Sequence, residues 1–373
     1  MEQTKKNILI VSRSFYPMNS PRSFRTTELA KEFARQGHQV KVITPREDGV
    51  HDEFEKEFGL TIKDMGWPKS RPIKVKGKKV TKVLRRVVKR LAEQFFYYPH
   101  YELRKMVYKA LKNEADRYDL LISIAAPHSV HWGVSKAISK GYKPARKWVA
   151  DCGDPFMLSQ NRVYNKPFYF KFFEKRFCKN ADTIAVPIEG AIESYYPEFR
   201  DKMKVIPQGF RFDELNNGTE KIKNKVPTFA YAGTLVPKRR DPGPLIEYLL
   251  SKGVPFQFHV YTDNAGMIKP YSDKFPDKVI FHGFKDRNNL LHDLKKVDFV
   301  LNYENVGNSQ LPSKLIDYAI IGKPILSIHF KNFDKRVVDE FIDGEYCNQK
   351  QIDNIEQYRI DNVANQFIDL LNI

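Results

Sequence analysis

In the stretch SQLPSKLIDYAIIGKPIL, Ser309 to Leu326, a lysine and an aspartate stand three residues apart just inside the start of a helix. Asn308 or Ser309 can cap that helix, Pro312 suits its first turn, Gly322 ends it, and Pro324 blocks continuation before the apolar run Ile325 to Ile328. The order is loop, helix, turn, strand. A helix N-terminus presents unpaired N–H groups and a partial positive charge, so a diphosphate docks there readily, helped by the Ser313 hydroxyl and the Lys314 ammonium. Asp317, further along, can reach a ribose diol. These groups read as half of a site for a sugar carried on a nucleotide; the plainer reading is a capped amphipathic helix with Lys314 and Asp317 solvated.

Other segments carry groups of matching chemistry. Between Ser12 and Ser23, where a strand passes into a helix, Arg13, Ser20 and Arg22 stand ready for a phosphate or an acceptor, with Arg25 on the helix itself; each arginine can equally be a surface charge. Asp151 and Asp154 end a predicted strand in WVADCGDP, where one of them can bind acceptor hydroxyls or take the proton from a nucleophile, although aspartates at strand ends are also ordinary turn residues. His128 and His131 in AAPHSVHW begin a helix. His128 can donate to a phosphate or sugar, with a satisfied structural histidine as the alternative, and two histidines without a nearby acid or cysteine make no zinc site. Lys238, Arg239 and Arg240 precede a helix near Asp241 and are either anion ligands or a solvated turn.

These residues need elements that bring them together. The first half alternates apolar strands with helical patterns: Asn7 to Ser12, a helix from Arg22 to Gln36 stopped by Gly37, then Val40 to Thr44, Leu120 to Ile124, Lys147 to Asp151 and Thr183 to Pro187. A second set runs through Thr228 to Ala232, Phe256 to Tyr261, Val279 to Phe281, Phe299 to Asn302 and Ile325 to Ile328, with helices from about Asp241, Asp286 and Pro312. The pattern predicts an α/β protein with two doubly wound, Rossmann-like domains in tandem, whose ligands bind beyond the carboxyl ends of the strands in a cleft between facing domains. The domains are expected at 1–210 and 211–352, with a hinge in the polar stretch Arg211 to Lys225 and a C-terminal helix at 353–373 that rejoins the first domain.

The formal charge of +18 is concentrated. Eleven Lys or Arg and no acid lie between Asp64 and Glu93. Val80, Val83, Leu84, Val87, Val88 and Leu91 form an apolar stripe on a helix whose other faces carry Lys79, Lys82, Arg85, Arg86, Lys89 and Arg90, and Phe95 to Tyr98 follow directly. This insertion, at about 65–98, suits an anionic membrane surface; the alternatives are a helix packed on its own domain and, without any recognised motif, nucleic acid, which is not expected as a partner. No stretch of about 18 apolar residues and no signal peptide is visible, and three scattered cysteines imply neither a disulfide framework nor a metal. A cytoplasmic protein, peripheral to the inner face of the cell membrane, is the expectation.

Five segments resemble the GT-B glycosyltransferases, most closely the glycosyltransferase family 4 group: ILIVSRSFYPMNSPRSFRTTELAKEFARQGHQVKVIT, LLISIAAPHSVHWG, WVADCGDPF, FAYAGTLVPKRRDP and QLPSKLIDYAIIGKPIL. The resemblance runs from Asn7 to about Ile328. It implies transfer of a sugar from a nucleotide-sugar donor to an acceptor, usually with retained configuration and without a metal or other cofactor, and it makes Asp151, Asp154 and His128 the catalytic candidates. On the donor side it points to Gly233, Thr234, Arg239 or Arg240, His282, Gly283, Leu311, Pro312, Ser313, Lys314 and Asp317. Asp317 matches the second acidic residue of the paired-carboxylate motif, whereas the position of the first is Ser309. Thr234 stands where arginine is frequent, and the loop after the first strand lacks the usual glycines. A PSK variant of the motif, as at Pro312 to Lys314, occurs among relatives acting in surface polysaccharide assembly, so the expected acceptor is lipid-linked or a glycan. The competing readings are a nucleotide-sugar 2-epimerase-like enzyme and a non-catalytic nucleotide-binding subunit.

Overall fold

The computed structural model describes residues 4–75, 79–158, 166–212, 224–304 and 313–372. The chain forms two compact units, Met1–Phe210 with Tyr358–Ile373, and Arg211–Gln357. The chain thus rejoins the first unit at Tyr358 rather than at 353, while most of the expected hinge lies outside the described residues.

In chain order the first unit contains β1 (Asn7–Ser12), α1 (Pro21–Arg35), β2 (Gln39–Thr44), α2 (Val50–Phe58), β3 (Thr61–Asp64), α3 (Lys79–Phe96), α4 (Leu103–Lys112), β4 (Tyr118–Ala125), α5 (Ser129–Ser139), β5 (Ala145–Cys152), α6 (Phe170–Asn180), β6 (Thr183–Val186) and β7 (Met203–Val205). Its strands are parallel in the order β3-β2-β1-β4-β5-β6-β7. Such a sheet buries both faces. Alternate residues of β1 show this: Leu9 and Val11 join the core with α4, α5 and α6, whereas Ile8 and Ile10 join the one with α1 and α2.

The second unit contains β8 (Thr228–Ala232), α7 (Gly243–Lys252), β9 (Gln257–Tyr261), α8 (Lys269–Lys274), β10 (Val279–Phe281), α9 (Arg287–Leu294), β11 (Phe299–Tyr303), α10 (Ser313–Ile320), β12 (Ile325–Ile328) and α11 (Lys335–Ile342), with parallel strands in the order β10-β9-β8-β11-β12. Here Phe229 and Tyr231 face the core under α7 and α11, while Ala230 and Ala232 face α9 and α10. The two alanines let α10 come close, and the Ala232 N–H donates to Tyr318 Oη at 3.0 Å.

The chain closes with α12 (Ile360–Asp369), which packs on α1 in the first unit. Val363, Ala364 and Phe367 are fully buried there, Phe367 meets Phe33 edge-on, the Phe210 N–H donates to the Tyr358 carbonyl at 2.7 Å, and the Ile360 N–H donates to the Phe210 carbonyl at 2.9 Å. Among the elements with no counterpart in the pattern described above are α2, β3, β7, α8 and α11. Phe367→Ala is expected to cost about 3–5 kcal/mol through its cavity, read as a lowered urea midpoint for the first unit; an unchanged midpoint would show that α12 adds nothing to that core.

Candidate functional site

In both units the chemistry-bearing residues follow the carboxyl ends of parallel strands. On the second unit the loop after β8 begins at Gly233, whose φ of 137° favours glycine and whose N–H donates to the Tyr261 carbonyl. The loop then closes on itself: Val236 and Arg240 exchange backbone hydrogen bonds of 3.1 and 2.8 Å around Lys238, at φ 60°. Arg239 is left exposed and Thr234 with it, whereas Arg240 is half-buried and lies close enough to Lys314 and Tyr231 for its charge to bear on both. Between the two arginines left open by the sequence, Arg240 is the one beside Lys314.

Lys314 is the least comfortable cation described. Its Nζ sits 4.4 Å over the ring of Tyr231, buried, without a hydrogen-bond partner among the described residues. Burial, and then the Arg240 cation, hold its pKa down at about 7. A desolvated ammonium beside a guanidinium over an aromatic face is a receptacle for an anion. One turn along α10, Asp317 is engaged by Arg287, whose Nε and Nη2 donate to the same oxygen, Oδ1, at 3.0 and 2.7 Å. Burial raises the Asp317 pKa while Arg287 opposes the rise, and among the described residues no hydrogen bond to Oδ2 is made. Leu311, Pro312 and Ser309 lie outside the described residues, as does the Ser313 side chain.

After β10, His282 stacks on Tyr261 at 4.5 Å and on His259 at 5.0 Å, with 2.9 Å between His282 Nε2 and His259 Nδ1, and burial depresses both histidine pKa values. Gly283 has φ 67°, yet a Cβ built there meets nothing within 4 Å. Its glycine is explained by backbone conformation rather than by crowding.

In the first unit several sequence expectations need correction. Arg25 is only 2% exposed and binds Asp151 two-pronged, Nε to Oδ2 and Nη2 to Oδ1, both at 3.0 Å, while also donating to the Ile206 and Pro207 carbonyls. Both Asp151 oxygens are thereby engaged, so it is a buried structural anion rather than a base, and Arg25 is its partner rather than an acceptor ligand. Ser20 caps α1 by accepting from the Ser23 N–H at 3.1 Å. His128 is buried, its ring against Phe156 and its N–H donating to Tyr97 Oη. His131 is the satisfied core histidine: Nδ1 meets Ser123 Oγ at 2.8 Å, Nε2 meets Cys152 Sγ at 3.4 Å, and burial pushes its pKa down to about 3.

Three groups stay open to chemistry. Asp154 is exposed. Arg22 lies 3.8 Å from Asp151, in the field of Asp154, and its guanidinium fills the space where Gly153 lacks a Cβ, which would stand 2.5 Å from Cζ. Arg13 has a buried Nε without a partner among the described residues, and its charge helps hold the nearby His100 down at about 4. Instead of glycines, a serine lattice shapes the loop after β1: Ser12 Oγ donates to the Ser14 carbonyl and accepts from the Ser14 N–H and Thr26 Oγ1. No three His, Cys, Asp or Glu side chains among the described residues converge on one point.

Sequence reasoning missed Arg287, Tyr231 and Glu174. Glu174 is buried and accepts from the N–H groups of Phe156 and Met157, so it fixes the loop that carries Asp154. For Arg287 the only signal was a cation directly after the Asp286 cap of α9.

The sequence profile described as Glycosyltransferase Family 4 matches residues 24–214, just over half of the chain. No curated protein matches. Among solved structures, a glycosyltransferase from Rickettsia africae is 14% identical with a TM-score of 0.61, covering 98% of this chain and 94% of that one. Anabaena HepE in complex with UDP and glucose is 12% identical with a TM-score of 0.59, and the lipopolysaccharide outer core galactosyltransferase WaaB is 14% identical with a TM-score of 0.55; each comparison covers 98% of this chain and 99% of the other. The architecture is that of the GT-B glycosyltransferases.

A bound diphosphate would return Lys314 toward an ordinary lysine pKa. Nucleoside diphosphate affinity is therefore expected to hold below pH 7 and to weaken as pH rises above it, by up to about tenfold per pH unit, with proton uptake on binding. Calorimetry in buffers of different ionisation heat measures this; Lys314→Arg should bind without that slope, and a slope that survives would assign the proton elsewhere. Arg287→Ala should weaken the same binding by about 10–100-fold, and in a cycle with Asp317→Asn most of the loss should be shared. Additive losses would show that the two side chains act independently.

Proposed function

We propose, from the premise that this chain belongs to glycosyltransferase family 4, that it transfers a sugar with retained configuration from a nucleotide-sugar donor to a lipid-linked or glycan acceptor in cell-surface polysaccharide synthesis. The observation that carries the donor side is the unpartnered, buried ammonium of Lys314 next to Arg240. As the bond from sugar to diphosphate breaks, negative charge grows on the leaving phosphates, and cations already desolvated and fixed stabilise it without reorganising. Asp317, oriented by Arg287, supplies an acceptor for a ribose hydroxyl. The reading needs no metal or other cofactor for this charge stabilisation, because the two cations supply it.

On the acceptor side, exposed Asp154 is the group suited to an acceptor hydroxyl, with Arg22 and Arg13 as the cations for a phosphate the acceptor carries. The reading of a membrane-borne acceptor rests on α3. Val83 and Leu84 are 53% and 63% exposed, and Val87, Val88 and Leu91 are exposed with them, so the stripe is not packed on its own domain. Lys82, Arg85, Arg86 and Arg90 are exposed beside it, and Lys89 pairs with Glu93 at 3.7 Å; the Lys79 side chain lies outside the described residues. No helix among the described residues is long and apolar enough to cross a membrane. An amphipathic cationic helix lying in the interface of the inner membrane face fits these facts, and the similar fold of a lipopolysaccharide outer core galactosyltransferase supports the polysaccharide role.

Titration with UDP, GDP and dTDP should reveal one preferred nucleotide. The matching nucleotide sugar, incubated with a membrane lipid extract, should yield a glycosylated lipid whose anomeric configuration NMR reads as retained, and Lys314→Ala should lower turnover about a hundredfold or more. An epimerised donor in the absence of acceptor would instead mark an epimerase, and no nucleotide binding would mark a non-catalytic subunit. Arg85→Gln with Arg86→Gln and Lys89→Gln should leave nucleotide binding intact.

A further inference from the structure

We propose that the outward face of α6, led by Phe168 and Phe172, is a second apolar anchor beside α3, and that the partner of this joint surface is an anionic lipid bilayer. It rests on the membrane reading of α3 and adds an element that α3 does not contain.

Phe168 is 77% exposed and Phe172 is 66% exposed, among the most open large apolar side chains described. With Arg176 they fall at i, i+4 and i+8, so an aromatic pair and a cation share one side of the helix and its approach, with Lys171 exposed next to them. The one acid of α6, Glu174, points inward to the Phe156 and Met157 N–H groups, leaving the outward side of the helix without a carboxylate of its own. Lys175 is taken up by Glu198.

This side is joined to the end of α3. Lys166 Nζ donates to the Glu93 carbonyl at 3.0 Å, and Tyr169 Oη donates to the Phe95 carbonyl. Phe168 packs edge-on against Tyr169, 5.9 Å between centroids, while Phe95 and Phe96 are themselves exposed. The α3 stripe therefore continues through Phe95 and Phe96 to Phe168 and Phe172. Apolar area of this extent, flanked by lysines and arginines, marks an interaction surface. Charge selects the partner: two copies of the chain pairing through this face would bring their cationic helices together, whereas anionic headgroups complement them and the aromatic rings suit the depth just below those headgroups.

The test is co-sedimentation with vesicles of phosphatidylglycerol and phosphatidylcholine over a range of salt. Phe168→Ser with Phe172→Ser, both exposed positions at which circular dichroism should stay native, is expected to lower partitioning about tenfold or more and to make the remainder more salt-sensitive. Arg85→Gln with Arg86→Gln and Lys89→Gln should weaken binding mainly at low salt. If the phenylalanine variant partitions like the wild type while the α3 variant is weakened, the α6 anchor is overturned and the α3 reading stands. If the wild-type protein ignores the vesicles, both fall. If the phenylalanine substitutions instead dissolve a self-associated species in sedimentation velocity without changing vesicle binding, the face is a contact between copies and the proposal is wrong.

Discussion

The buried pair of Arg25 and Asp151 joins segments of the first unit that lie far apart in the sequence. Taking two charges out of water costs several kcal/mol each, and here the cost is met by two charge-assisted bonds between them and by the Ile206 and Pro207 carbonyls on the remaining donors. The pair ties α1, the end of β5 and the segment after β7 to one point. Arg25 also lies 5.3 Å from the ring of Phe367, so the returning α12 closes over the same guanidinium. The exit of the chain from the first unit and its return are thus organised around one desolvated ion pair. Arg22 sits against it, 3.8 Å from Asp151, in the space where Gly153 lacks a Cβ.

The second unit shows the opposite electrostatic arrangement. The Lys314 ammonium, beside Arg240, has no hydrogen-bond partner among the described residues, while Asp317, the nearby acid, is drawn to Arg287. A fold selected only for stability has no reason to bury an ammonium over Tyr231, because an unpaired cation costs what a pair does not. On the proposed reading, that unmet demand is what a diphosphate would satisfy. On that reading, the arrangement would trade folding free energy for differential binding of a leaving group.

Alternation of buried strands with helices was legible because parallel sheets require continuous apolar runs, and proline and glycine punctuate them: β8 lies between Pro227 and Gly233, β10 ends just ahead of Gly283, and β12 begins after Pro324. The edge strands β3 and β7 were not, since Thr61–Asp64 and Met203–Val205 are short and half polar, with one neighbour to pair with instead of two. Within the site, the residue types were readable and their accessibility was not. Asp151 and Asp154 look alike in WVADCGDP, yet the strand pleat and an arginine 126 positions earlier make one internal and the other open. Arg287 and Asp317 are 30 residues apart on separate helices, a distance at which a single sequence carries no pairing signal.

The exposed stripe of α3 follows from how that helix is held. An isolated helix of its 18 residues is marginal in water, and most helices obtain their stability by burying an apolar face. At its C-terminal end Tyr97, at φ 55°, breaks the helix and inserts its ring among Trp132, Phe156 and Phe170, while its hydroxyl accepts from the His128 N–H. The same Phe156 begins the segment that Glu174 fastens next to Asp154. A helix rooted at this end and exposed along its apolar side presents an uncovered surface. The root sits on the aromatic cluster that also sets the β4–α5 junction and the Asp154 loop, so whatever covers α3 is mechanically continuous with that loop.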